Sequence, residues 1–251
     1  MMIEAYHADS SWRGKLRRRT VRLAARRPAR TPAGPMISFC FDDAPASAAE
    51  VGAAILERRG LRGSYFIAAA MAGTDAATGR MADALAVRRL AEAGHEVGCH
   101  TYSHLDCGQA SAEDAVEDVA LNAETLARWG LPRPATFAYP FGDVAPATKR
   151  ALAGRFALMR ALHPGLVTAG ADLNQAPAVG VEGADGEARA RRWLNRAAGR
   201  RAWLILYTHD VADDPSPWGC APAALERLAD TALAAGFEVV TVAEGARRVS
   251  A

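Results

Sequence analysis

Two histidines four residues apart, His100 and His104, are the first candidates for chemistry in this chain of 251 residues. Their spacing puts both rings on one side of a helical turn, where two imidazoles could bind one metal ion. One added carboxylate would complete a three-ligand site with an open position for water. The same spacing also suits histidines that only form hydrogen bonds or lie at the surface, so the pair alone leaves both readings open.

Two adjacent carboxylates, Asp42 and Asp43, follow the apolar segment 36–41 and form the second candidate group. Buried side by side they would repel each other, and a divalent cation would stabilise one and leave the other free as a base. Neighbouring side chains of a strand face opposite ways, so the chain must turn at Ala44 and Pro45 to bring both inward. The alternative is a pair of carboxylates that complements the dipole of the next helix.

A third candidate, His209, follows segment 203–207, the clearest continuous apolar run in the chain. A histidine there could act as a general acid, because its unperturbed pKa lies near ~6.5. The alternative is a histidine satisfied within the core. Residues at the ends of two more apolar segments, which we assign to the pocket, are Tyr139, Pro140, Phe141 and Arg160.

The elements that must position these residues alternate between strands and helices. We predict seven strands, at 36–41, 64–67, 96–99, 135–139, 156–160, 203–207 and 237–242. Helices are predicted at 46–59, 81–93, 111–129, 145–153 and 221–235, and the stretch 161–200 is interpreted as a long loop with a helix near 186–197. Continuous apolar strands indicate a parallel sheet covered by helices, open or closed into a barrel. The candidate residues then meet at the carboxyl ends of the strands, where such folds carry their active sites.

Composition excludes several classes of protein. Half of the residues are apolar and 23% are charged, which excludes wholesale disorder, collagen and coiled coil. No apolar run approaches the ~20 residues that span a bilayer. The four cysteines form no CxxC pair, so we expect free thiols.

The net charge of +2 hides a basic arm, predicted as residues 1–34 with a proline-rich linker at its end, before a domain at 35–251. Nine basic residues and no acidic one lie between Ser10 and Pro35, so the rest carries 21 basic against 28 acidic residues. We expect the arm to contact an anionic membrane surface or another polyanion, the alternative being a solvated helix or frayed tail. It lacks the apolar core of a secretory signal, so the expected compartment is the cytoplasm, with peripheral binding at the inner membrane.

Four short segments together resemble carbohydrate esterase family 4, the polysaccharide deacetylases. The segments are Phe41-Asp42-Asp43-Ala44-Pro45, His100-Thr101-Tyr102-Ser103-His104, Phe137-Ala138-Tyr139-Pro140-Phe141-Gly142 and Leu206-Tyr207-Thr208-His209-Asp210. The resemblance runs from about Met36 to Val242. It implies a distorted (β/α) barrel of about seven mostly parallel strands covered by helices.

The resemblance also implies an activity. Members are metal-dependent hydrolases that remove acetyl groups from N-acetylated sugars, or occasionally O-acetyl groups. By position, the metal ligands are Asp43, His100 and His104, and the metal is usually zinc, sometimes cobalt or nickel. Asp42 corresponds to the general base and His209 to the general acid, while the backbone N–H of Phe141 helps to hold the oxyanion. Tyr139, Pro140 and Arg160 are assigned to substrate binding.

Two departures from the family pattern affect these expectations. Ala138 stands where the family usually has an arginine that orients the catalytic aspartate, and Arg160 could supply that guanidinium from the next strand. The usual tryptophan-containing fourth motif is not visible, so the partner of His209 is open, with Asp172 and Asp210 as candidates. These differences at the edge of the site indicate a substrate unlike a long chitin or peptidoglycan chain.

Three other functions fit parts of the same pattern. Two histidines and one carboxylate are also the ligand set of iron oxygenases, although their usual all-β scaffold disagrees with the alternation here. A glycan-binding pseudoenzyme would keep the fold without turnover, but it would need neither Asp42 nor His209. An O-acetyl esterase would use the same site. For the leading function we expect a cytoplasmic lipid-linked or nucleotide-linked sugar, whose phosphates the arm could touch.

Overall fold

The computed structural model describes residues 11–250, and its sheet is assembled from strands that alternate with helices. The strands are β1 (Met36–Asp42), β2 (Ser64–Ile67), β3 (Asp75–Ala76), β4 (Gly79–Arg80), β5 (Glu96–Cys99), β6 (Thr136–Ala138), β7 (Leu158–Arg160), β8 (Val179–Gly180), β9 (Trp203–Thr208) and β10 (Glu238–Val239). The helices are α1 (Trp12–Thr20), α2 (Ala53–Glu57), α3 (Ala84–Glu92), α4 (Ala112–Arg128), α5 (Pro146–Leu152), α6 (Gly186–Ala197), α7 (Pro222–Ala234) and α8 (Val242–Val249).

The main sheet is parallel and has the order β7-β6-β5-β2-β1-β9-β8, with β10 beside the start of β1. Every residue of β1 and β9 is buried, as expected of strands covered on both faces. The separate hairpin of β3 and β4 was not predicted. The predicted architecture, a distorted barrel of mostly parallel strands covered by helices, is confirmed.

Side-chain caps begin several of the covering helices. The side chain of Ser111 accepts a hydrogen bond from the backbone N–H of Asp114, and that of Asp83 accepts one from the backbone N–H of Ala86. Predicted and observed helices agree to within a few residues at α3, α4, α5 and α7. Of these four helices, α3 and α4 begin with a side-chain cap, whereas α5 and α7 begin with a proline in the first turn and no side-chain cap.

The stretch 161–200 differs from its prediction as mostly loop. Its helix is present as α6, but the segment before it is part of the sheet. Ala161 N–H donates to the Ala176 carbonyl beside β7, and Val179 pairs with Leu206 of β9. The segment thus bonds to the chain beside β7 at one end of the sheet order and to β9 near the other end. With only two residues in β8, no periodic pattern was long enough to reveal it.

The end of the chain also differs from its prediction. The strand expected at 237–242 is only the two residues of β10, and α8 begins at Val242 with Thr241 as its cap. Gly245 of α8 lies against the Trp203 ring, where a Cβ would be 2.4 Å from a ring carbon. The apolar residues at the end of the run therefore belong to a helix packed on β9, and their helical spacing continues beyond the predicted strand.

The described part of the basic arm is attached to the barrel and is not a frayed tail. Val21 is 1% exposed and packs among apolar residues of β6 and β7. The backbone N–H of Ala29 donates to Ala171 O, and that of Arg30 donates to Val249 O, both at 2.7 Å. Residues 1–10 of the arm lie outside the described residues, and the boundary at residue 34 stays a prediction.

Two expectations from composition can be compared with the described residues. No helix between residues 11 and 250 is long and apolar enough to cross a membrane. The four cysteines, Cys40, Cys99, Cys107 and Cys220, are all buried and unbonded, which confirms the expected free thiols.

Candidate metal centre and active site

A cavity of about 270 Å³ opens at the carboxyl ends of the strands. Connections after seven strands of the main sheet contribute to its lining. Of the residues assigned to the site by sequence, those that line it are Asp42, Asp43, His100, His104, Tyr139, Phe141 and His209. Pro140 and Arg160 are buried behind this lining. Residues separated by more than 160 positions in the chain therefore meet because parallel strands end at the same edge.

Three side chains form a cluster suited to a metal ion. Ligand atoms of Asp43, His100 and His104 lie within 4.8 Å of one another. Asp43 Oδ1 is 3.6 Å from His100 Nε2 and 3.4 Å from His104 Nε2, and this buried oxygen has no hydrogen-bond partner. Separations of that size suit atoms that share one divalent ion at about 2.0–2.2 Å. The donor set and the unsatisfied oxygen both fit such an ion.

The backbone around His100 sets the orientation of its ring. Nδ1 lies 2.8 Å from the carbonyl of Ala138, which assigns the proton to Nδ1 and directs the lone pair of Nε2 towards Asp43. Burial is the main cause that lowers the pKa of His100 to about 4. The imidazole is therefore neutral near pH 7, which is the form that binds a metal.

The segment between the two histidines is a loop, which corrects the expected helical turn. Thr101 and His104 have φ values of +61° and +59°, and the two histidine rings meet with centroids 5.0 Å apart. Asp118 of α4 holds this loop, accepting hydrogen bonds from the backbone N–H groups of Tyr102 and Ser103. The rings share one ligand position because of this left-handed loop, and sequence spacing alone could not show the contribution of Asp118.

The turn after β1 brings both aspartates to the cavity, as the sequence required. Asp43 and Ala44 have φ values of +59° and +52°, conformations that cost side-chain-bearing residues about 1–3 kcal/mol each. The strand ends at Asp42 and the chain then reverses, so that neighbouring carboxylates no longer face opposite sides. Strained backbone of this kind clusters at functional sites.

Asp42 forms a buried ion pair with Arg160. Oδ1 of Asp42, which is 3% exposed, accepts from Nη2 of Arg160, which is fully buried. Burial alone would raise the pKa of Asp42, but the nearby charge of Arg160, followed by smaller effects of the site histidines, lowers it below its ordinary value. Asp42 is therefore held as a carboxylate.

The position of Arg160 defines which of its two expected contacts it makes. The guanidinium carbon lies 5.0 Å from the ring centre of Phe66 and 5.2 Å from that of Tyr207. Enclosed between these rings, it reaches Asp42 and does not line the cavity, so the substrate contact assigned to Arg160 stays a prediction. The guanidinium that the family pattern lacks at Ala138 thus comes from β7.

Tyr139 and Phe141 follow β6 and line the cavity. The Tyr139 hydroxyl donates to the carbonyl of Asn174, away from the cavity. Phe141 has a φ of +58°, and its ring edge packs on His104 with centroids 4.5 Å apart. The loop after β6 therefore supports a metal-ligand candidate in addition to lining the cavity.

His209 stands at the end of β9 with a different neighbour from those expected. Its Nδ1 is 3.3 Å from the carbonyl of Trp218. Asp172 pairs instead with Lys149 at 2.6 Å, and Asp210 accepts hydrogen bonds from Ser216. Both candidate partners are thus engaged elsewhere.

Glu182 is a cavity carboxyl that the sequence analysis missed. It lines the cavity together with His209, and burial raises its pKa. It lies two residues beyond β8, the same strand-end position as the other site residues. Because the sequence analysis did not recognise β8, it could not identify Glu182 as a residue that follows a strand.

The sequence also resembles those of known proteins. A sequence profile described as Polysaccharide deacetylase matches residues 29–157 of the chain. This match covers half of the sequence and contains the three metal-ligand candidates. No curated protein matches the chain.

Solved structures with a similar fold include three informative ones. A chitin deacetylase from the fungal pathogen Colletotrichum lindemuthianum is 19% identical over 86% of this chain and 89% of that chain, with a TM-score of 0.61. A family 4 acetyl xylan esterase from Clostridium thermocellum, in complex with a cobalt ion, is 20% identical over 83% and 89%, with a TM-score of 0.59. A mutant of BA3943, a CE4 family pseudoenzyme with restored activity, is 13% identical over 86% and 69%, with a TM-score of 0.58. At these identities the likeness shows the fold.

Proposed function

We propose, from the premise that this chain belongs to the polysaccharide deacetylase family, that it hydrolyses the acetamide of an N-acetylated sugar in a glycan or glycan precursor. The reaction adds water across the C–N bond and releases acetate and the sugar amine. One observation carries the proposal: an Asp-His-His cluster stands next to a second carboxylate that a buried arginine keeps ionised. A structural ion-pair network would not require Asp43 Oδ1 to be left unsatisfied among two histidines.

The metal dependence is part of the proposal. Asp43, His100 and His104 would hold one divalent ion, for which we propose zinc, with cobalt or nickel as alternatives. When bound, such an ion would polarise the acetyl carbonyl and lower the pKa of a bound water towards about 7.

Asp42 is proposed as the general base that takes the proton of the attacking water. A base must be ionised before it can accept a proton, and the contact with Arg160 favours that form. Because Arg160 is enclosed by protein on all sides, it also restricts the orientation of the Asp42 carboxylate. Arg160 therefore acts as a positioning residue.

His209 is proposed as the general acid that protonates the departing amine. It lines the same cavity as Asp42 from the neighbouring strand β9. The backbone N–H of Phe141 is proposed to stabilise the oxyanion, a contribution typically worth about 3–4 kcal/mol per donor. With these roles the proton taken from water and the proton given to the amine have separate carriers.

The partners and the compartment are also proposals. We propose that the protein acts in the cytoplasm, peripherally at the inner membrane, on a lipid-linked or nucleotide-linked sugar. The basic arm supports this, since it would attract an anionic surface or the phosphates of such a carrier.

The test combines metal content with acetate release. We expect the full-length protein, incubated with zinc and desalted, to retain about one ion per chain. The variant His104→Gln should lose the ion, while His163→Gln, outside the cluster, should keep it. Asp42→Asn should keep the ion and reduce acetate release from N-acetylated sugars by about 10²-fold or more. Failure of the wild-type protein to bind zinc, cobalt or nickel would contradict the proposal.

Two alternative functions of the same fold predict different results. The first is a glycan-binding pseudoenzyme, a class that occurs among proteins of similar fold. Sugar binding without turnover, unchanged in Asp42→Asn, would support it. The second is an O-acetyl esterase, which would release acetate from O-acetylated but not from N-acetylated sugars under the same assay.

A further inference from the structure

The arm carries an exposed apolar stripe. Trp12 is 70% exposed, Leu16 is 51% exposed and Leu23 is 79% exposed. Trp12 and Leu16 are four residues apart on one face of α1, and Leu23 lies in the turns that continue it. Trp12 and Leu23 are the two most exposed large apolar side chains between residues 11 and 250. Large apolar side chains exposed together indicate a surface that another molecule covers.

Exposed positive charge follows this stripe along the chain. Exposed arginines follow it at Arg19, Arg22, Arg26 and Arg30. No acidic residue lies between Ser10 and Pro35, whereas the rest of the chain has more acidic than basic residues. Tryptophan and leucine beside arginine are residue types that occur in helices lying in the headgroup layer of a membrane. The positive charge disfavours a second copy of the same surface as the partner, since the two would repel.

The stripe is fixed relative to the cavity. Nη2 of Arg17 in α1 lies 2.5 Å from Asp143 Oδ2, and its Nη1 donates to the carbonyl of Gly108. Asp143 is two residues beyond Phe141, and Gly108 is four residues beyond His104, so both partners belong to loops that form the cavity. A molecule that binds the stripe would therefore also orient the active site.

We propose that the surface formed by Trp12, Leu16 and Leu23, with the arginines that follow it, docks on an anionic membrane. Docking would hold the cavity-forming loops near the bilayer. Resting on the proposed deacetylase function, this assigns the substrate to a class: an acetylated sugar attached to a lipid of the same membrane. Amphiphilic substrates of this kind stay within a headgroup's distance of the surface to which the enzyme binds.

The first experiment measures vesicle binding by the full-length protein, independently of catalysis. We expect cosedimentation with phosphatidylcholine vesicles that contain phosphatidylglycerol, and little with phosphatidylcholine alone. Replacing the stripe by Trp12→Ser, Leu16→Ser and Leu23→Ser should weaken binding by about tenfold or more. Replacing Arg19 and Arg22 by glutamine should weaken it by about fivefold for each arginine.

A matched control replaces three exposed leucines away from the arm. The variant Leu85→Ser, Leu121→Ser and Leu233→Ser removes three exposed leucines from α3, α4 and α7. We expect it to bind vesicles as the wild type does. In wild-type protein the tryptophan emission should shift to the blue on binding, and Trp12→Phe should remove that shift while binding persists.

The outcomes separate this proposal from the proposed function. Equal binding by the serine stripe variant and the wild type, with single-stranded DNA displacing the vesicles, would show a general polyanion surface and overturn the membrane proposal. Loss of binding in the stripe variant, with unchanged acetate release from a soluble acetylated sugar, would support it. If vesicle binding behaves as expected but no acetate is released from any substrate, the deacetylase function fails and the docking surface stands.

Discussion

Among individual residues, Arg160 most clearly separates this site from the pattern that its motifs resemble. A small residue, Ala138, occupies the position of the usual arginine on β6, and the guanidinium reaches Asp42 from β7 instead. The two positions pair directly in the parallel register of β6 and β7. A charge can therefore move to the neighbouring strand and still face the same carboxylate.

This arrangement predicts strong coupling between Asp42 and Arg160. We expect Arg160→Gln to lower the free energy of unfolding by about 3–5 kcal/mol, because it leaves the Asp42 charge buried without a partner. The double variant Asp42→Asn, Arg160→Gln should recover much of that loss. Denaturant unfolding of the wild type, both single variants and the double variant measures the coupling. Additive losses in this cycle would show that the two side chains do not interact as described.

At the scale of elements, the loops and turns at the strand ends do more than the strands themselves to shape the site. Left-handed residues in the turn after β1 and in the histidine loop after β5 direct the three metal-ligand candidates to one point. The opposite ends of the strands carry structural contacts. There the ring of His95 accepts at Nδ1 from Gly63 N–H and lies 3.0 Å from Glu57 at Nε2, joining β5 to the connection before β2 and to the end of α2.

His95 predicts an acid-sensitive contribution to stability. Burial is the main cause that lowers its pKa below 6.5, so the folded protein binds the proton less tightly than the unfolded chain does. Its contribution is therefore complete above pH 6.5 and is lost as the pH falls below that value. We expect His95→Gln to lower Tm at pH 7.5 and to approach the wild type at pH 5. A constant difference in Tm at both pH values would contradict this assignment.

At the scale of the whole molecule, the described part of the basic arm is a structural part of the barrel. Besides the packing of Val21, Arg27 N–H donates to Asp172 Oδ1 at 2.9 Å, and Lys149 Nζ donates to the Val21 carbonyl at 2.9 Å. Removing the whole arm would thus remove core contacts together with the docking surface. Point variants at exposed positions are the sharper test of membrane binding.

The same contacts predict the effect of truncation. Deletion of residues 1–30 should lower Tm by about 4 °C or more, since a loss of 1 kcal/mol shifts Tm by about 2–4 °C in a chain of this size. Deletion of residues 1–10 serves as the control and should leave Tm close to that of the full chain. Thermal unfolding followed by circular dichroism measures both. An unchanged Tm after the longer deletion would show that the arm contacts do not stabilise the barrel.

By itself the sequence determined the features that local patterns encode. Continuous apolar runs predicted the buried parallel strands, the segments between them predicted most of the covering helices, and the residues that end the strands predicted which side chains meet at one edge. Local motifs also identified Asp43, His100 and His104 as a candidate metal set. These inferences succeed because the direction of a parallel strand fixes the edge of the sheet at which the residue at its carboxyl end lies.

Only the tertiary structure decided the contacts that join distant parts of the chain. The pairing of Arg160 with Asp42, the support of the histidine loop by Asp118, the place of Glu182 and the attachment of the arm all depend on which elements become neighbours. Such contacts leave no periodic signal, since each requires a single side chain in the right place. The curl of the sheet brings these residues together, and its end strand β8 is too short to be recognised from the sequence.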